Sequence, residues 1–311
     1  MKRSLLFLLT CTIIVQLNAQ TPIDNLMMPK GQICVAAIYS HDSWNEYWEG
    51  TLKRTNGNIG TLNRQSVMPM FSLGITDKIN FMAALPWVKT KPTAGQFSGD
   101  QGIQDLGMWL KAELIRQKIG PGSVLLHTTL GLTTPVTDYN PDYLPFSIGL
   151  GATEASLRGM LQYEFDFGLF IRGMYGYHLR SEITLDRDYY YTDKGYYSNK
   201  ADMPNATTFN ALIGMWLFDK GLRLEVNYDG MTSLSGHDIR RQDMPFPSNK
   251  MNNSRIGFGF QYYPTFVKGL SIIGSGNYVL DGRNVGQSTI YSGGVAYQFG
   301  LWNKQSNNSI Q

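Results

Sequence analysis

Between Leu157 and Arg180 the side chains alternate in character residue by residue, and that period of two fixes the backbone as extended. Leu157, Gly159, Leu161, Tyr163 and Phe165 share one face, while Arg158, Met160, Gln162 and Glu164 share the other. After a turn at Asp166-Phe167-Gly168 the alternation resumes. Leu169, Ile171, Tyr175 and Tyr177 then oppose Phe170, Arg172, Met174, His178 and Arg180. The segment therefore reads as a hairpin of two long strands. Strands of about ten residues, tilted, are long enough to cross a bilayer. One face suits acyl chains and the other is charged and amphiphilic.

The same pattern recurs along the chain. Strands are expected at 31–41, 61–75, 79–88, 103–116, 124–135, 147–165, 168–182, 205–218, 222–233, 254–263, 270–280 and 289–299. The clearest is the ninth, where Leu222, Leu224, Val226 and Tyr228 alternate with Arg223, Glu225, Asn227 and Asp229. In the fourth, Met108-Trp109-Leu110-Lys111-Ala112-Glu113-Leu114 is also rich in helix formers. Gly107 and the unbroken alternation favour a strand there. Connections alternate long and short, and an even number of strands returns both ends to one side. The expected fold is all-β: an up-and-down antiparallel barrel of about twelve strands over 31–300, both ends periplasmic. Closure follows from the solvent, because an unpaired backbone N–H or C=O costs several kcal/mol in hydrocarbon and an open sheet has two such edges. A secreted β-sandwich also alternates, but it calls for shorter strands and a polar outer face.

Composition agrees. The chain is 42% hydrophobic, 13% aromatic and only 16% charged, against about 25% charged in soluble domains. Aromatic residues cluster at strand ends (Trp87, Tyr163, Phe165, Tyr175, Tyr177, Phe218, Tyr228, Tyr278, Tyr297, Phe299 and Trp302), as interfacial girdles do. A net charge of +3 without a dense basic stripe gives no reason to expect a nucleic-acid partner. At the start, Lys2 and Arg3 precede an apolar run from Leu5 to Val15 and a small residue at Ala19. Residues 1–19 are read as a secretory signal cleaved after Ala19, which directs the chain to the outer membrane of a Gram-negative cell. Residues 20–30 follow as a short periplasmic arm, and 301–311 form a polar tail. Cleavage leaves Cys34 alone, so no internal disulfide is expected.

If the aliphatic faces meet lipid, the others line the interior. The charged set is Arg64, Asp105, Lys111, Glu113, Arg158, Glu164, Arg172, Arg180, Arg223, Glu225 and Asp229. Met68, Met70, Met82, Met160, Phe170 and Met174 add adaptable apolar surface. Both charge signs occur, so the charges either pair with one another or shape a passage. The apolar set either fills a narrow barrel or offers a greasy path. A mixed lumen of this kind suits a small hydrophobic or amphipathic solute crossing passively. A second reading is a structural or surface-interaction barrel acting through its Tyr-rich loop at 186–197, since clustered tyrosine supplies rigid contact area. Enzymatic activity is not expected. Ser233, Ser235 and His237 are the nearest nucleophile–base set, without an evident orienting third group. The histidines, His41, His127, His178 and His237, lack metal-ligand spacing, and no cofactor loop occurs.

Three short motifs resemble the MetA-pathway phenol-degradation family, outer-membrane barrels allied to the FadL-type transporters of hydrophobic compounds. The first is the hairpin from Gly74-Ile75-Thr76-Asp77-Lys78 to Leu85-Pro86. The second joins Gly99-Asp100 to Asp105-Leu106-Gly107 and Lys111, and the third is Leu130 to Pro135 with Val136-Thr137. The resemblance implies a channel or transporter for hydrophobic, including aromatic, compounds. One departure is the arm, about ten residues and too short for the FadL-type hatch, which puts gated, plug-mediated transport in doubt.

Overall fold

The computed structural model describes residues 20–239 and 245–301. The signal segment and the tail beyond Leu301, Trp302 included, lie outside the described residues. The chain forms one closed antiparallel barrel of twelve strands, two of them broken, built from a sheet of 14 hydrogen-bonded segments. In chain order these are β1 (Gln32–Trp44), β2 (Leu62–Thr76), β3 (Ile79–Ala84, continued by Trp87–Pro92) and β4 (Gln101–Ile103, continued by Asp105–Ile119). Next come β5 (Gly122–Pro135), β6 (Glu154–Phe165), β7 (Leu169–Arg180) and β8 (Ala206–Leu217). The last four are β9 (Leu222–Ser233), β10 (Asn252–Tyr262), β11 (Leu270–Arg283) and β12 (Thr289–Gly300). Each strand pairs with its sequence neighbours, and β1 pairs with both β2 and β12, which removes the edges. β3 is interrupted at Leu85-Pro86, where the proline has no N–H for the ladder. The β4 segment that could have been helical is a strand, with a bulge between Glu113 and Ile115. The bulge leaves both Leu114 and Ile115 outward, at 55% and 45% exposed, and brings Arg116 to the same side as Glu113.

The expected alternation is observed around the wall. Val35, Leu110, Leu130, Leu157, Leu161, Ile171, Ile213 and Val226 are exposed outward, and Trp87, Tyr175, Tyr177, Tyr228, Tyr278 and Tyr297 are exposed among them. Tyr163 and Phe165 are only half-buried girdle members, packed edge-on at 4.8 Å. The apolar belt has a visible limit. On β1, β2 and β3 the outward row passes from Tyr39, Val67 and Trp87 to His41, Gln65 and Lys89 within one outward step. Isolated from lipid, a continuous belt of this kind far exceeds the apolar patches that monomeric soluble proteins expose.

The connections alternate as expected up to the last. Short turns follow β2, β4, β6 and β8, and the long loops span 45–61, 136–153, 181–205 and 234–251. The eleventh connection is only 284–288, because β11 runs on to Arg283. The Tyr-rich loop folds on itself. Ile183, Leu185, Tyr190, Ala201 and Met203 form a small core with Ala152, and Tyr190 stacks on Tyr196 at 5.1 Å. Loop 136–153 folds over the β1–β4 mouth, where Phe146 packs with Ile59 and Leu62. There Tyr139 donates to the Asp105 carboxylate at 2.5 Å, and burial with that bond pushes its phenol up.

Candidate functional site

The arm read as a short periplasmic extension does not project from the barrel. It lies inside the lumen, hydrogen-bonded to β2–β5 and packed through Met28 on Cys34 and Ala296 and through Leu26 on Phe170, Leu212 and Trp216, so a short arm narrows the passage without a FadL-length hatch. Its short length suffices because most of its residues bond or pack against the wall. Gln20 bonds Ser72 and donates to Asn80 at 3.2 Å. Asn80 also accepts from the Met28 N–H at 3.1 Å and donates to the Met28 carbonyl at 2.9 Å. Lys111, fully buried, donates to the Thr21 carbonyl at 3.0 Å and to Asp24 at 2.7 Å. Thr129 donates to the Pro22 carbonyl at 3.2 Å, and the Asn25 amide lies 3.0 Å from His127 Nδ1. Asp24 also shapes the arm itself, accepting from the N–H groups of Thr21 and Leu26 at 2.5 and 2.9 Å. A buried ammonium is tolerable only when paired and hydrogen-bonded, and the arm supplies both.

The antiparallel register stacks the remaining inward residues in tiers across β6 to β10. Arg158, Gly176, Thr208 and Met231 form one tier. Met160, Met174, Asn210, Asp229 and Arg255 form the next. Gln162, Arg172, Leu212 and Asn227 form the third, and Glu164, Phe170, Gly214 and Glu225 the fourth. Every expected apolar lumen residue faces inward. Met70, Met82, Met160, Phe170 and Met174 are buried, and Met68 is half-buried. The charged set faces inward too. Arg223 pairs with Glu225, Arg255 with Asp229 at their carboxylates, and Arg180 with Glu154 at 2.9 Å. Glu113 pairs with Arg116 at 2.6 Å, Glu164 reaches Lys220 at 3.3 Å, and Arg64 donates to the Ile148 carbonyl at 3.1 Å. Arg223 also lies over Phe170 and Trp216, 5.1 and 5.5 Å from the ring centroids.

Two cavities open on either side of the arm. One, of about 560 Å³, touches Gln20, Thr21, Ile23 and Asp24 and rises along Arg158, Arg172 and Asn210 towards the long-loop end. The other, of about 540 Å³, touches Asn25, Leu26 and Met27 and continues to Lys220 and Lys268 at the short-turn end. Arg223 lines both. The arm and one cation therefore divide the interior.

The Ser233 hydroxyl donates to the Met251 carbonyl at 2.8 Å, and His237 is held by backbone bonds to Ser248 and Lys250. No group of metal-ligating residues occurs among the described residues. The sequence reading missed the arm's partners. Its one local signal was Asp24, an acid in a short arm facing a wall with more inward cations than carboxylates.

No protein-family model matches the chain, and no curated protein matches it. The resemblance to the phenol-degradation barrels rests on the short motifs alone. Among solved structures, the chain is similar to the COG4313 outer membrane channel from Pseudomonas putida F1, with a TM-score of 0.71 at 14% identity. That match covers 90% of this chain and 100% of the channel. The NanC porin aligns at a TM-score of 0.45 and 9% identity, over 84% of this chain and 98% of the porin. The likeness in fold is to outer-membrane barrels: a closed twelve-stranded antiparallel wall.

Proposed function

We propose that this chain is a passive outer-membrane channel for small amphipathic solutes, constricted at mid-depth by its own N-terminal arm. The observation that carries the reading is the pair of cavities meeting at the arm and Arg223 inside an apolar-belted closed wall. The wall has methionines for apolar contact and arginines for orientation. Conduction is favoured over catalysis by the two open cavities, although Thr208 Oγ1 lies 3.0 Å from His178 Nε2 and His178 Nδ1 lies 2.7 Å from Glu154. The similarity in fold to a channel supports the same reading. The short turns and both termini are assigned to the periplasmic side, and the long loops to the outside.

The second reading, a barrel acting through its tyrosines, is less favoured. Tyr190 and Tyr196 are taken up in that loop's own small core. Tyr197 remains outside, 92% exposed beside Tyr189.

The test is reconstitution of residues 20–311 in planar bilayers and liposomes. Small ion currents are expected, together with uptake of labelled amphipathic solutes. A protein lacking residues 20–28 should conduct several-fold more. A barrel that passes neither ions nor solutes, with or without its arm, defeats the proposal.

A further inference from the structure

The cavity on the long-loop side carries an imbalance of partners. Each carboxylate lining it is already engaged: Asp24 by Lys111, Glu225 by Arg223, Asp229 by Arg255. The two remaining guanidiniums lie near these acids or Glu154 but keep unpartnered hydrogen-bond donors. Arg172 is 3% exposed, and its Nε and Nη1 have no hydrogen-bond partner. Arg158 has an unpartnered buried Nη1, and its side chain lies over Gly176 beside Thr208 and His178. The nearby His178 imidazole is taken by Glu154 at 2.7 Å, and Glu154 is shared with Arg180. Neither arginine can borrow an acid from that tier without breaking a formed pair.

Leaving buried guanidinium donors unpaired costs free energy, and a fold that keeps them needs a reason. The register gives the spacing. Arg158 faces Gly176, and Arg172 lies four residues further down β7, roughly 13 Å along the strand. Between the two tiers sits the Met160–Met174 pair. Ala36, Ile38 and Met70 line the opposite wall of the same cavity. The arrangement is a buried cation bordered by apolar surface, with a second cation one tier beyond the methionines.

From this we infer that the cavity holds a binding site for small organic carboxylates with an apolar body. The carboxylate pairs with Arg172, the body rests on Met174 and the facing apolar wall, and Arg158 draws the anion in from the long-loop mouth. An arginine fork matches a carboxylate in a bidentate fashion, which a lysine there would not. A bare inorganic anion gains nothing from the methionines, and a neutral solute of the same shape leaves Arg172 unsatisfied. The inference rests on the channel reading for its biological sense, but the binding it requires is measurable without conduction.

The experiment is calorimetric titration of the detergent-solubilised chain, residues 20–311, with benzoate, benzyl alcohol and acetate. Benzoate is expected to bind saturably and at least tenfold more tightly than either of the others. Arg172→Met should weaken benzoate at least tenfold, Arg158→Met a few-fold, and Arg172→Lys less than Arg172→Met. None of the three should change benzyl alcohol binding. Equal affinity for benzoate and benzyl alcohol in the unmodified protein overturns the inference, whatever the variants do. So does benzoate binding unchanged by Arg172→Met in a protein that still migrates as a folded barrel. Conductance is recorded separately. Benzoate binding without any current would sink the channel reading and leave the site standing; current without selective benzoate binding would do the reverse.

Discussion

Two sectors of one wall, made by the same alternation, meet different fates. From β2 to β5 four inward polar groups are met by the arm: Ser72 and Asn80 by Gln20, Lys111 by Asp24, His127 by Asn25. From β6 to β9 many inward groups pair with one another, and Arg158, Gln162, Arg172 and Asn210 each keep an unpartnered atom, against Asn25 Oδ1 and His127 Nε2 in the arm's sector. The wall does not distinguish the sectors, since both present amides, cations and methionines. What differs is whether a second piece of chain is there to complete them. A polar lumen face can be structural on one side of a barrel and receptive on the other.

Breaking the completed sector should have the largest effect. Lys111→Met leaves Asp24 buried without its counterion, a loss of about 3–5 kcal/mol for one partner of a buried pair. The arm, not the barrel, should give way, because strand closure uses none of its bonds. Single-channel conductance should rise several-fold, and the arm should become open to protease. Unchanged conductance would mean that the arm is held mainly by its other contacts. Adding Asp24→Asn removes the stranded charge while keeping an acceptor for one of the two N–H groups, Thr21 or Leu26, that Asp24 meets with separate oxygens. The double variant should recover most of the native conductance, since deleting both members of a buried pair is far less costly than deleting one. Failure to recover would point to the lysine's bond to the Thr21 carbonyl as the larger part.

The contrast also explains what could be read from the sequence. Strand positions are local facts. Leu222 to Tyr228 declares its two faces by itself, and Asp219-Lys220-Gly221 declares the turn before it. The inward set followed directly from that alternation. Sector completion is not local. Asp24 meets Lys111 across 87 residues, and Asn25 meets His127 across 102. No periodicity links those positions. The β4 bulge was hidden for a different reason: one extra residue between Glu113 and Ile115 leaves an apolar–polar pattern that still reads as alternation from either side. The tyrosine loop looked like open contact surface because composition does not say what its rings pack against, and Tyr190 and Tyr196 pack on the loop's own core.

A paired substitution sharpens the comparison at equal chemistry. Asn80→Ala removes an amide that holds Gln20 and both backbone groups of Met28. It should lower stability by about 1–3 kcal/mol, the usual cost of stranding buried partners. The change should appear as a lower temperature for the folded-to-unfolded shift on detergent gels. A loss under about 0.5 kcal/mol would show that the arm repacks without it.

The smallest effect is expected from the matching change in the open sector. Asn210 is buried in its strand as Asn80 is in its own, at 6% against 0% exposed, yet its Oδ1 has no partner and its tier faces the cavity. Asn210→Ala removes a polar atom that folding had left unsatisfied, and the lost packing borders space that is already empty. The two terms oppose, so the net change should stay within about 0.5 kcal/mol. The same gel assay decides it, run beside Asn80→Ala so that detergent and heating rate cancel. Equal losses at the two positions would mean that the open sector is held as tightly as the plugged one. Its unpartnered groups would then belong to the barrel's own stability and not to a passing solute.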